Sequence, residues 1–166
     1  SQIRWDLREL DNKKYCPLIY GRYFKVTKNG PSPYWLKSKL ESIGLKPISS
    51  LVDITNFILF DIGRPLHVFD AKKINGSLRV VCLEKKESFI GLDKKEYNLQ
   101  KGDLVIKDNT KTVSLAGIIG GLNSCVDDNT KEIFLEVAYF DSAKIAKTGR
   151  RLGITSDARY RFERGI

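Results

Sequence analysis

The stretch IFLEVAYF, residues 133–140, sets a single carboxylate, Glu136, among seven apolar residues. A β-strand that is apolar on both faces is usually covered on both faces, which predicts a strand deep in the fold. Burying a carboxylate without partners costs several kcal/mol. Three interpretations of Glu136 therefore stay open. It faces water from an edge strand, it forms a structural ion pair, or it lies in a pocket that accepts a hydrogen-bond donor of a ligand.

Further strands are predicted on the N-terminal side of this stretch. The segment 17–26, PLIYGRYFKV, is rich in aromatic and β-branched residues, which favour strands. Residues 78–117 contain several short apolar runs separated by turn-like connections such as DKK and QKG. The strand after these runs is the stretch 133–140 itself.

Two segments carry the signals of helix ends. Ser32 is predicted to be an N-cap with Pro33 in the first helical position, and Gly44 is predicted to end that helix. Asp141 is predicted to cap a second helix that ends before Gly153. Both helices flank predicted strands, so they are expected to pack on the sheet.

The segment 49–60, SSLVDITNFILF, is apolar but is interrupted by polar residues. Its periodicity leaves two structures open, a buried helix and a strand that turns into a helix. Thr55 and Asn56 place a hydroxyl and an amide inside this segment. Because a buried asparagine needs hydrogen-bond partners, Asn56 is either a cap or a site residue.

Together these elements predict an α+β fold with an antiparallel or mixed sheet, closed as a small β-barrel-like core decorated with helices. The length of 166 residues fits one domain, residues 1–166. We expect this domain to be a fragment of a longer polypeptide, because methionine is absent and the sequence stops directly after a charge-dense stretch.

The charge balance points to a polyanionic partner. Lysine and arginine exceed aspartate and glutamate to give a net charge of +9, which suits a nucleic acid, although a solvated cationic surface remains the alternative. The cysteines are three in number and lack paired spacing, which indicates free thiols in the cytoplasm. With one histidine beside them, a structural metal site is not expected. No apolar run approaches the ~18 residues of a membrane span.

The only histidine, His67, lies in GRPLHVFD, residues 63–70. Among apolar neighbours it is either a packed core imidazole or the titratable ring of a site. Residues 117–124, GIIGGLNS, form an apolar loop whose glycines allow the backbone to approach another group closely. The sequence has no Gly-x-Ser-x-Gly elbow and no cysteine with a histidine nearby, which argues against a nucleophilic hydrolase.

The C-terminal stretch TSDARYRFERG, residues 155–165, interleaves arginines with aromatic residues. Guanidinium and aromatic groups in this mixture suit contacts with RNA backbone and bases. A network of salt bridges with Asp157 and Glu163 explains the same residues equally well. Arg159 has the same two possibilities, a contact with RNA or an ion pair.

The order of these stretches resembles one known family. The long block from GPSPYWL through PLHVFD, then SLAGIIGG, IFLEVAYFDSAKI and SDARYRFERG, is similar to the editing domain (B3/B4 region) of the bacterial phenylalanyl-tRNA synthetase β subunit. The resemblance extends over about residues 20–166. It implies a domain that hydrolyses the ester of tyrosine wrongly attached to tRNA(Phe).

The resemblance also implies partners and cofactors. The parent enzyme attaches phenylalanine to tRNA(Phe) with ATP and Mg²⁺, and the editing domain uses no cofactor of its own. The expected partners are tRNA(Phe), the α subunit and the rest of the β subunit in a heterotetramer, with no membrane. The alternative from another class is a non-catalytic module of the same fold that binds tRNA or forms a subunit interface.

Matched motif by motif, the resemblance implies a set of site residues. In this assignment the catalytic residues are His67, Glu136, Thr55 and Asn56, and the substrate-binding residues are Gly117, Glu136, Ala158 and Ser156. The carboxylate and the loop glycine would contact the tyrosine hydroxyl. The threonine, the asparagine and the histidine would lie near the amino group, the ester and the terminal ribose. Ser156 replaces a threonine common in the family, and direct attack by water is the simplest mechanism.

Overall fold

The computed structural model describes residues 3–8 and 10–166, and within them the chain forms an α+β fold. Two short 3-10 helices cover Ala71–Lys73 and Leu122–Ser124. The α-helices are α1 (Leu10–Tyr15), α2 (Tyr34–Ser42), α3 (Ser50–Ile62), α4 (Ser142–Leu152) and α5 (Asp157–Phe162). The strands are β1 (Leu18–Lys25), β2 (Leu66–Asp70), β3 (Arg79–Cys82), β4 (Glu87–Ile90), β5 (Glu96–Leu99), β6 (Leu104–Lys107), β7 (Thr112–Leu115), β8 (Ile119–Gly120) and β9 (Glu132–Tyr139).

Strand β9, which contains the IFLEVAYF stretch, is the central strand of a three-stranded antiparallel sheet with the order β1-β9-β2. In this register both Gly21 of β1 and His67 of β2 lie opposite Glu136. The interpretation of Glu136 as a water-facing residue of an edge strand is therefore wrong.

The remaining strands form a four-stranded sheet, β3-β6-β7-β8, and the hairpin β4-β5. All paired strands in these sheets are antiparallel. The predicted closed barrel is not found in the part of the chain that the structure describes, where the strands form three separate sheets. The four-stranded sheet ends at β8, which is only two residues long and lies inside the glycine loop of residues 117–124.

The main core explains why β9 is apolar on both faces. One face of β9 contributes Phe134 and Ala138 to a large buried cluster that also contains Phe69. The other face contributes Ile133 to a smaller cluster with Leu51 of α3. Helix α3 thus covers the side of the sheet that the main core leaves free, so β9 is enclosed from both directions.

The segment 49–60, which periodicity left undecided, lies almost entirely in helix α3. Its Asp53 is fully buried and accepts hydrogen bonds from the Ser32 hydroxyl at 2.6 Å and from the Ile48 backbone N–H at 2.8 Å. The prediction that Ser32 is an N-cap is wrong, because helix α2 has Pro33 in that position and the Ser32 side chain joins the two helices instead.

Helix α4 follows the prediction closely. The Asp141 side chain accepts a hydrogen bond from the Lys144 backbone N–H, and Gly153 ends the helix with φ of 67°. Within the described residues, no helix combines the length and the apolar character needed to cross a membrane. No disulfide joins the three cysteines in these residues.

Candidate active site

The pairing of β2 with β9 brings the two unusual residues of the sequence together. His67 and Glu136 lie directly opposite each other in the antiparallel register, a position in which Cβ atoms are ~4.5–5.5 Å apart and side chains point to the same face. That face is the one that carries Phe69 and Phe134 into the main core. The sheet therefore places an imidazole and a carboxyl group side by side at the edge of the core.

Glu136 is a buried carboxyl group with an unused oxygen. Glu136 is only 5% exposed. Its Oε2 atom has no hydrogen-bond partner in the described part of the chain. The interpretation as a structural ion pair is wrong, since no cation of the described residues lies within salt-bridge distance of it. Burial raises the pKa of the Glu136 carboxyl to about 8, so the group is largely protonated at neutral pH.

A small cavity of about 70 Å³ opens directly in front of Glu136. We call it the inner cavity. His67, Ser114 and Gly117 line it together with Ala158 and the ring of Phe162. The inner cavity is thus narrow and lined mostly by apolar groups, and the Glu136 carboxyl is one of the few polar groups that it exposes.

A larger cavity of about 320 Å³, the outer cavity, adjoins the inner one. The two share several lining residues, among them His67, Gly120 and Ala158. Helix α3 supplies Thr55 and Asn56 to the outer cavity. His67 therefore stands at the junction between the two spaces.

The imidazole of His67 is held by close packing. Its ring meets Phe69 edge-on with 4.4 Å between centroids. The backbone of Gly120 approaches so closely that a Cβ there would lie 2.3 Å from the ring Cε1. Burial lowers the pKa of His67 to about 4, and although part of the side chain still reaches the cavity, the ring is neutral at pH 7. A neutral imidazole can donate one hydrogen bond and accept another.

Gly117 turns the chain under the inner cavity. Its φ of +68° is a conformation that residues with a side chain rarely adopt, and a Cβ there would lie within about 3 Å of Ile145, Phe140 and Phe162. Glycine is thus required at position 117 both by the positive φ and by the lack of room for a Cβ atom. This tight turn brings backbone next to Glu136 without filling the inner cavity.

Ser156 lines the outer cavity, but its hydroxyl is already engaged. It donates a hydrogen bond to the carbonyl of Ile118 at 2.5 Å and accepts one from the Arg159 backbone N–H at 3.1 Å. Ser156 therefore caps helix α5 and fixes it to the glycine loop. This arrangement sets the position of Ala158, two residues further along, between the two cavities.

Cys16 is a buried cysteine close enough to Glu136 to be affected by its charge. Burial and the neighbouring Glu136 charge raise the pKa of the Cys16 thiol to about 12. The thiol donates a hydrogen bond to the Leu18 carbonyl at 3.4 Å. Because only the thiolate is a strong nucleophile, Cys16 is a packed thiol rather than a reactive one.

The family model of the B3/4 domain matches residues 15–166, which include every residue of both cavities. This chain belongs to the B3/4 domain family. The match begins at Tyr15, the last residue of α1, and runs from there through α5.

Curated relatives of this B3/4 domain are named phenylalanine–tRNA ligase β subunit. The relative from Gluconobacter oxydans is 55% identical over 151 residues, which cover 91% of this chain and 18% of the relative. The relative from Cereibacter sphaeroides is 53% identical over 155 residues, which cover 93% of this chain and 19% of the relative. The chain thus spans about a fifth of the length of these relatives.

A solved structure shares the fold of this B3/4 domain. It is an N-terminal fragment of the phenylalanyl-tRNA synthetase β subunit from Pyrococcus horikoshii. The TM-score is 0.56 at 16% sequence identity, and the match covers 90% of this chain and 48% of the solved one. At this identity the likeness concerns the architecture alone.

All residues that the sequence assigned to the site line one or both cavities of the B3/4 domain, but they do not share a single space. Glu136 and Gly117 line the inner cavity, whereas Thr55, Asn56 and Ser156 line the outer one. The remaining two, His67 and Ala158, line both.

Several residues that line the inner cavity were not in the sequence assignment, among them Ser114 and Gly120. Gly120 belongs to the glycine-rich loop whose capacity for close approach was visible in the sequence. The approach of His67 to it was not visible, because that contact joins residues 53 positions apart in the chain. Ser114 lies in the short buried strand β7 and carries no local signal.

The titration of Glu136 is expected to make the stability of the B3/4 domain fall as the pH rises towards about 8. Its pKa is raised from 4.5 to about 8, so the folded state retains a proton that the unfolded state releases. The resulting stabilisation is complete below pH 4.5 and is lost as the pH rises through about 8. The lowered pKa of His67 acts in the opposite direction, but only between about 4 and 6.5.

Between pH 6.5 and 8 the free energy of unfolding is therefore expected to fall by at most ~1.4 kcal/mol per pH unit. Urea unfolding of wild type and Glu136→Gln at several pH values measures this slope. The neutral glutamine should flatten the curve. An equally steep decline in Glu136→Gln would show that another group titrates in this window.

Proposed function

We propose that this B3/4 domain hydrolyses the ester that joins a wrongly attached tyrosine to tRNA(Phe). In this proposal the chain is the editing part of a phenylalanine–tRNA ligase β subunit, whose whole enzyme attaches phenylalanine to tRNA(Phe) in the cytoplasm together with an α subunit. The observation that carries the proposal is the Oε2 atom of Glu136, buried and unpartnered at the floor of the inner cavity.

The physical need for such a site is clear. A binding site made for phenylalanine cannot strongly reject tyrosine, which differs from it by one added hydroxyl. A second site that forms a hydrogen bond with this hydroxyl can discriminate by ~10⁴–10⁵-fold, since phenylalanine leaves its polar groups unpaired. Glu136 is suited to this task in either protonation state. The neutral acid donates to the phenol oxygen, and the carboxylate accepts from the phenol O–H.

The sizes of the cavities support a division of the substrate. The inner cavity, about 70 Å³, suits the distal end of the tyrosine ring, with the hydroxyl at Glu136. The outer cavity, about 320 Å³, suits the ester and the terminal ribose. The ester carbon would then lie beside His67, at the junction, with Thr55 and Asn56 near the amino group and the ribose.

The chemistry proposed is direct attack by water. The water oxygen loses a proton and bonds to the ester carbonyl carbon, and the bond from that carbon to the ribose oxygen breaks. The ribose oxygen takes up a proton, so the products are free tyrosine and a tRNA with its terminal hydroxyl. Neutral His67 orients the water or hydrogen-bonds to the ester through its ring nitrogens. A pKa of about 4 makes the ring a weak base, which favours this positioning role. These steps use only groups of the domain and no cofactor.

Deacylation by the full-length protein tests the proposal. Purified Tyr-tRNA(Phe) and Phe-tRNA(Phe) are incubated with the protein, and release of each amino acid is followed. We expect the tyrosyl ester to be hydrolysed and the phenylalanyl ester to be largely spared. Binding of the charged tRNA without hydrolysis of either ester would instead favour the non-catalytic module.

Gly120→Ala is expected to slow the hydrolysis of both esters. A Cβ at this position would lie 2.3 Å from Cε1 and 3.0 Å from Nε2 of His67, so the ring must move. A displacement of about 1 Å at a positioning group lowers rates by up to ~10²-fold. Gly30→Ala is the matched control, because a Cβ there would meet only the flexible side chain of Lys28. An unchanged rate in Gly120→Ala would mean that the position of His67 is not critical.

A further inference from the structure

An arginine and a phenylalanine join helices α3 and α5 beside the outer cavity. The guanidinium of Arg161 lies over the ring of Phe60, 4.7 Å from its centroid. Asn56 of α3 and Asp157 of α5 both line the outer cavity. Phe60 follows Asn56 by four residues, and Arg161 follows Asp157 by four residues. Residues four apart on a helix are neighbours on one face. The pair therefore lies about one helical turn from the cavity lining on both helices.

A second pair of the same kind lies on α5 and the turn that follows it. The guanidinium of Arg164 lies 3.6 Å from the ring centroid of Tyr160. Tyr160 is 55% exposed and Phe60 is 37% exposed. We call the four residues of the two pairs, Phe60, Tyr160, Arg161 and Arg164, the arginine–aromatic edge.

Arg161 differs from the two nearby arginines, since the guanidiniums of both Arg159 and Arg164 are paired with the Glu163 carboxylate, Arg164 at 3.3 Å. Arg159 donates to the Glu163 carboxylate at 3.0 Å and to the Ile154 carbonyl at 2.7 Å. The ion-pair interpretation of Arg159 from the sequence is therefore confirmed. Within the described residues, the guanidinium of Arg161 donates only to the Asp157 carbonyl, at 3.3 Å, and has no carboxylate within 4.0 Å. Its positive charge is not neutralised by the domain itself.

We propose that the arginine–aromatic edge binds the single-stranded 3′ end of the RNA whose terminal ester enters the outer cavity. The rings of Tyr160 and Phe60 offer stacking surfaces for bases, and the guanidiniums of Arg161 and Arg164 pair with backbone phosphates. The inference rests on the proposed function, because it places the ester in the cavities. Charge complementarity selects the occupant: an edge with an unneutralised guanidinium, in a chain of net charge +9, fits a polyanion.

Photocrosslinking tests this inference independently of hydrolysis. The probe is a short RNA that ends in CCA, carries no amino acid and has a photoactivatable terminal base, and it is mixed with the full-length protein. We expect crosslinks in peptides that contain Phe60 or residues 155–166. We expect Arg161→Ala to reduce their yield by about 10-fold or more, the lower end of the effect of losing a hydrogen bond to a charged group. Arg150→Ala is the matched control, since it removes the same charge from an exposed position on α4.

Two further variants separate stacking from folding. Tyr160→Ala should reduce the crosslink yield, and Tyr160→Phe, which keeps the ring, should restore most of it. In deacylation of Tyr-tRNA(Phe), Arg161→Ala should raise KM more than it lowers kcat, and Arg161→Lys should recover part of the loss by keeping a positive charge. Hydrolysis can fail while the crosslinks persist, in which case the proposed reaction is wrong and the RNA site remains.

The inference is overturned if Arg161→Ala and Tyr160→Ala both crosslink like Arg150→Ala. It is also overturned if these variants leave the crosslinks intact but weaken assembly with the α subunit. That second result would assign the arginine–aromatic edge to a protein partner instead of RNA.

Discussion

His67→Ala in the full-length protein is expected to slow hydrolysis of Tyr-tRNA(Phe) and Phe-tRNA(Phe) by the same factor. The factor is about 10²-fold or more if the imidazole hydrogen-bonds to the attacking water in the transition state. The ring stands where the inner and outer cavities meet, beside the proposed position of the ester. The ester is identical in both substrates, so the ratio of the two rates should not change. Single-turnover deacylation of each substrate measures both rates.

His67→Asn is the matched control for this prediction. Asparagine keeps a donor and an acceptor but has no titratable ring. If neutral His67 positions the water or the ester by hydrogen bonding, His67→Asn should recover part of the rate. Recovery is not expected if proton transfer to the ring is essential. A loss confined to the tyrosyl ester would contradict the placement of His67 at the ester.

Glu136→Ala is expected to slow hydrolysis of the tyrosyl ester by roughly 5- to 150-fold, which corresponds to the ~1–3 kcal/mol of leaving a buried polar group unpaired. The phenol hydroxyl would enter the inner cavity without a partner. Hydrolysis of the phenylalanyl ester should be unchanged or faster, because its ring no longer meets an unpaired carboxyl group. The selectivity for tyrosine should therefore fall.

Glu136→Gln separates hydrogen bonding from charge. The amide has nearly the same shape and can donate to the phenol oxygen, as the protonated acid can. Since burial raises the pKa of Glu136 to about 8, we expect the glutamine variant to retain much of the selectivity at pH 7. A glutamine variant as unselective as Glu136→Ala would mean that the ionised carboxylate is the form that recognises tyrosine.

The sequence predicted the central feature of the fold from eight residues. The two-sided apolar pattern of residues 133–140 requires cover on both faces, and β9 has the main core on one face and α3 on the other. Helix α4 was equally predictable, because Asp141 and Gly153 act locally as cap and stop. These features depend on side chains and backbone within one element.

Features that depend on contacts between distant elements could not be predicted from the sequence. Serine is a common N-cap residue, but the Ser32 hydroxyl donates its hydrogen bond to the buried Asp53 of α3 instead. The segment 49–60 has an apolar character that fits a strand or a helix, and only its packing over the sheet makes it a helix. The closed barrel is not found among the described residues, and strand number and turn length do not specify how separate sheets join.

The candidate site was predictable in its members but not in its geometry. The resemblance identified His67 and Glu136 from motifs, whereas their direct opposition follows from the register of β2 with β9. The same holds for the raised pKa of Glu136, which is caused by burial in the folded chain. The division into two cavities could not be read from the sequence, because it arises where α3, α5 and the glycine loop meet.

The central claim is that Glu136 recognises the tyrosine hydroxyl, and four rates test it most directly. They are the deacylation rates of Tyr-tRNA(Phe) and Phe-tRNA(Phe) by the full-length wild type and by Glu136→Ala. The account predicts that the wild type strongly prefers the tyrosyl ester and that the variant loses roughly 5- to 150-fold of this preference, a coupling of ~1–3 kcal/mol between carboxyl and hydroxyl. Equal slowing of both esters, with the preference intact, would contradict it and would make Glu136 a structural residue or a group that acts at the ester.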